Sequence, residues 1–156
     1  MGERLSGFIY GTIVVLVAVV GGAQAHPHDA AEIATLVLVT TVVFWLAHVY
    51  AHGLGHAVSR DEHLSMAELR HIARREGSIV EAALPPLAAL LLGALGFFST
   101  ATAVWLAFGL GLLVLATAGI AFARVERLAW PGTLVVVAAN LTLGLLLLAL
   151  KLVLHH

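Results

Sequence analysis

Long apolar runs alternate along this chain with short polar breaks. Five runs, at 8–25, 33–58, 79–98, 101–123 and 133–154, approach or exceed the about 20 apolar residues that a helix needs to cross a bilayer. Such segments read as helices, because an open strand in lipid leaves its backbone polar groups unpaired. The predicted fold is therefore all-α, a single transmembrane domain over 1–156 built as a bundle of five spanning helices. A polar block at 59–78 separates the second run from the third and holds the densest set of charges. No internal repeat or linker divides the chain.

The polar positions sharpen the boundaries. Asp29-Ala-Ala-Glu32 and Ser65-Met-Ala-Glu68 both fit the capping box, in which a side-chain oxygen and a carboxylate three residues on satisfy orphan amides reciprocally. Leu64 and Leu69 are placed to staple the second box. The helix it starts, predicted at 66–76, gathers Met66, Leu69, Ile72 and Ala73 on one face, flanked by Arg70, Arg74 and Arg75. That pattern suits a short amphipathic helix on the cytoplasmic leaflet, or equally a solvated connector. Ala23-Gln24-Ala25 resembles a signal-peptidase site, but Glu3 offsets Arg4 in the flank, and the reading taken is a retained first helix.

Basic residues set the expected orientation. With five spans, Arg4, Arg60, Arg70, Arg74, Arg75, Arg124 and Arg127 share one side and only Lys151 lies near the other. The expectation is a cell-membrane protein with a cytoplasmic N-terminus and an external C-terminus.

Composition agrees with that class. The chain is 61% hydrophobic and 11% charged, with a mean hydropathy of +1.02, which excludes an ordinary soluble domain. A net charge of -1 gives nucleic acid no basic surface to bind. The absence of cysteine removes disulfides, thiolate zinc sites and cysteine nucleophiles. Fifteen glycines, with close pairs at Gly93/Gly96 and Gly109/Gly111, point to tight helix packing and a homo-oligomer.

The chemistry is concentrated on the second helix. His48, His52 and His56 recur every fourth residue and so form one ladder, roughly 12 Å long at about 1.5 Å rise per residue. Imidazoles at that spacing suit a divalent transition metal such as zinc or iron, and ionisable groups inside a membrane segment mark function. Gly53 and Gly55 thin the helix beside them. Counting inward, Glu81 on the third helix is level with His56, one turn before Pro85-Pro86, and completes a candidate metal set of His48, His52, His56 and Glu81. Asn140 is level with His48, and Asn140 and Tyr50 are expected to line a polar pathway. A second candidate cluster is His26, His28 and Asp29 in the first external turn, close to Glu32. No haem is expected within one protomer, since intramembrane histidines fall on one helix alone. Phosphate loops and nucleophile elbows are absent.

Three functions compete on these residues. The favoured one is a small transporter or channel for a divalent metal or protons. The alternatives are a metal-dependent membrane enzyme using His48, His52 and Glu81, and a non-catalytic membrane scaffold or accessory subunit.

The layout also resembles the vacuolar iron transporter family. The likeness rests on the opening segment Glu3-Arg-Leu-Ser-Gly-Phe-Ile-Tyr-Gly-Thr12, on Ala47-His-Val-Tyr-Ala, on Leu84-Pro-Pro-Leu-Ala-Ala-Leu-Leu-Leu-Gly93, and on the stretch 124–132. Tyr50 matches the family's Ala-Gly-Glu-Tyr segment, with Val49 in place of its glutamate. No aspartate lies beside Gly11, and the insert is short and poor in glutamate. The resemblance implies five spans, a cytoplasmic insert after the second and a dimeric pore.

Overall fold

In a computed structural model, residues 2–60 and 65–154 are described, with side-chain detail for 4–55, 65–147 and 149. Six helices run in order among them: α1 (Gly2–Ala25), α2 (Ala30–Arg60), α3 (Met66–Arg75), α4 (Ser78–Ala94), α5 (Thr100–Val125) and α6 (Trp130–Leu154). No strand occurs among the described residues. Helices α1, α2, α5 and α6 are long and apolar enough to cross a membrane. A fifth span is reached if α3 and α4, bent 44° from each other, are taken as one.

Helix α4 sits centrally, against α1, α2 and α5, while α6 lies at the edge on α5 and α1. The core is drawn from all five long helices. Leu16 and Val19 of α1, Ile33 and Val37 of α2, Leu90 of α4, and Phe108 and Leu115 of α5 are fully buried, with Leu147 of α6 packed against them. Outside that core, large apolar side chains face outward, among them Val43, Leu46, Leu113, Val135 and Leu146. An apolar exterior around an apolar core is the arrangement lipid requires.

Close approaches rest on glycine. A Cβ on Gly11 would lie 2.8 Å from the Ile79 backbone, so α1 and α4 touch main chain to main chain there. Ser78, just before it, is buried opposite Gly7, and its hydroxyl has no hydrogen-bond partner.

Two helix ends deserve comparison with the sequence pattern. The third apolar run continues to 98, yet α4 stops at Ala94. Gly96 adopts φ +83, and Phe97 N–H donates to Leu92 O while Gly96 N–H donates to Gly93 O. That is a Schellman closure, and it overrides an apolar pattern that carries no stop of its own except the glycine. At the start of α2, Asp29 accepts from the amides of Ala31 and Glu32, as expected of its cap. Glu32 does not complete the box; it pairs with His26 instead. The Ser65–Glu68 box closes in both directions, and Leu64 of its expected staple lies outside the described residues.

Candidate metal site

The site is built where α3 folds back onto α2. Ile72 of α3 is buried, and the indole N–H of Trp45 on α2 donates to the Ala73 carbonyl at 3.2 Å. These contacts bring the end of α3 to the histidine ladder. Glu76 caps α3, its amide donating to the Ile72 carbonyl, and Gly77 then turns the chain into α4.

One ligand atom from each of His48, His52 and Glu76 lies within 4.8 Å of the others. His52 Nδ1 stands 3.8 Å from Glu76 Oε1. The same nitrogen lies 3.1 Å from the His48 carbonyl. A carbonyl only accepts, so that contact is a hydrogen bond when the proton sits on Nδ1, leaving the Nε2 lone pair for a ligand role. A set of two imidazoles and one carboxylate from two helices could hold a divalent transition metal.

Rings support the ladder from below. Tyr10, Phe44, His48 and His52 form a chain of tilted aromatic contacts, with centroids 5.1 to 5.4 Å apart from Phe44 to His48 to His52. Tyr10, from α1, touches both Phe44 and His48. The i, i+4 spacing of 44, 48 and 52 stacks these rings along one face, which orients His48. Two clefts open onto the cluster, about 650 Å³ and about 400 Å³, and both are lined by His52, Arg75 and Glu76.

The other sequence candidates are distributed differently. Glu81 is not drawn into the cluster: both its carboxylate oxygens accept from Arg4 at 3.2 Å, across the α1–α4 contact. The side chain of His56 lies outside the described residues. Asn140 donates to the Leu115 carbonyl at 3.4 Å, within the α5–α6 seam. Tyr50 is 69% exposed on the outer surface of α2. At the opposite end of the bundle, His26 pairs with Glu32, Asp29 caps α2, and the His28 carbonyl accepts from Thr100. Glu76, unlike Glu81, was not among the sequence candidates. Its signal was faint: a carboxylate next to Gly77 at the predicted end of the amphipathic helix.

No protein-family model, curated protein or solved structure matches this chain.

Proposed function

We propose that this protein is a five-span membrane protein that binds a divalent transition metal at His48, His52 and Glu76 and transports it. The observation that carries the reading is the convergence of three donor groups, from α2 and from the end of α3, within 4.8 Å. In this reading α4 makes the fifth crossing, and α3, bent 44° from it, lies with its arginines at the cytoplasmic surface, where seven of the eight basic residues gather. The N-terminus is then cytoplasmic and the metal site sits at the inner mouth of the bundle. The interior around Leu16, Leu90 and Phe108 is closed and apolar, so the metal path runs along the α1–α2 face that carries Tyr10 and His48, completed by a second copy of the chain. A homodimeric pore is also what the likeness to the vacuolar iron transporter family implies.

The test is direct. Chelator-stripped protein in detergent should bind one zinc ion per chain in a calorimetric titration, and proteoliposomes should take up the metal. Loss of binding in His52→Ala is expected together with loss of uptake. Uptake that persists unchanged in that variant would overturn the reading.

A second reading, a metal-dependent membrane enzyme, is favoured by one feature. Three protein donors facing two open clefts leave a coordination position free, as catalytic zinc sites do. Stoichiometric metal binding without any uptake would select it.

A further inference from the structure

The two histidines of the proposed metal site are held in different ways. His52 Nδ1 lies 3.1 Å from the His48 carbonyl, a contact that fixes the His52 ring from within α2. Ligating imidazoles commonly take their orientation from such a bond at the nitrogen away from the metal. Among the described residues, no hydrogen bond reaches the His48 ring. Its neighbours are other rings. Phe44 stands 5.1 Å away at an interplanar angle of 41°, Tyr10 stands 5.4 Å away at 46°, and His52 follows one turn on. These are the tilted arrangements that aromatic rings prefer, at centroid separations of about 4.5–7 Å. Phe44 and His52 share α2 with His48 and move with it. Tyr10 comes from α1, and so it alone of these rings relates His48 to another helix.

Tyr10 is itself firmly placed. Gly7 and Gly11 flank it on α1 and seat that helix against Ser78 and Ile79 of α4. From there its ring reaches α2 and lines the cleft of about 400 Å³ that opens onto His48, His52 and Glu76. We infer that Tyr10 is a positioning residue of this site: its ring, rather than its hydroxyl, holds the His48 imidazole toward the metal. The affinity of the site is thereby tied to the seating of α1 against α2. This inference rests on the metal reading above and adds a form of regulation, in which a helix that supplies no ligand governs how well the site binds.

Cobalt(II) titration of chelator-stripped protein in maltoside micelles tests the assignment, because the visible bands of cobalt report its ligand geometry. Tyr10→Leu should weaken cobalt binding by about tenfold or more and shift the bands of the loaded protein. Tyr10→Phe keeps the ring and should restore both affinity and bands. Tyr10→Val tests the same point if the leucine variant fails to fold. Native affinity in Tyr10→Leu overturns the inference, as does weakened binding with unchanged bands, which is the mark of general loosening. A Tyr10→Phe protein as impaired as Tyr10→Leu also overturns it, since the hydroxyl is then the operative group. Each of these outcomes leaves the metal reading intact. Failure of the native protein to give any bound-cobalt spectrum overturns the metal reading itself.

Discussion

His52 Nδ1 lies 3.8 Å from Glu76 Oε1 and 3.1 Å from the carbonyl of His48, so one imidazole joins the histidine ladder of α2 to the end of α3. A metal held at this point would take one donor from each of His48, His52 and Glu76. His48→Ala should therefore weaken zinc binding by about tenfold or more. Calorimetric titration of both proteins checks this; equal affinities would remove His48 from the ligand set.

The two carboxylates near the site should behave oppositely. Glu76→Gln is expected to weaken zinc binding by at least about tenfold. Glu81→Gln should leave zinc affinity unchanged. It breaks only the Arg4 pair, whose side chains are 64% and 47% exposed, and such surface pairs contribute roughly 0.2–1 kcal/mol. Thermal unfolding in detergent and metal titration of both variants measure the contrast.

Trp45 holds α3 without being a ligand. Trp45→Phe removes the donor to Ala73 and should release about 1 kcal/mol of α2–α3 docking. Hydrogen exchange should rise across Met66–Arg75 and stay unchanged in α5. Equal protection of α3 in both proteins would mean that burial of Ile72 suffices to dock it.

Glycines of equal standing in the sequence should respond with opposite sign. Gly109 has open space around it, so Gly109→Ala should be neutral or stabilising by up to about 1 kcal/mol through helix propensity. At Gly11 the added methyl meets the Ile79 backbone at 2.8 Å, and main chain cannot rotate aside. Gly11→Ala should separate α1 from α4 and lower the melting temperature.

The membrane class and the existence of the long helices follow from apolar runs alone, since lipid leaves the backbone few alternatives. Places where the pattern misleads are those decided by contacts between helices. Depth counting put Glu81 beside the ladder, but it ignored α1, which Gly7 and Gly11 admit so close to α4 that Arg4 reaches that carboxylate. Glu76 joins the ladder only because Trp45 and Ile72 fold α3 back, a tertiary contact with no periodic signature. His48 and His52 were legible because four-residue spacing is itself a geometric statement.

The closure at Gly96 also sets a dimension. Seventeen residues make α4 roughly 25 Å long, against roughly 39 Å for the 26 residues of α5. In the five-span reading proposed above, a hydrocarbon layer of about 30 Å is thicker than one wall of the bundle and thinner than its neighbour. The strongly exposed Leu95 and Phe97, just past the end of α4, then sit below the level of the surrounding headgroups. On that reading lipids beside α4 draw inward while α5 leans, a hydrophobic mismatch that favours thin, short-chain bilayers over thick, sterol-rich ones.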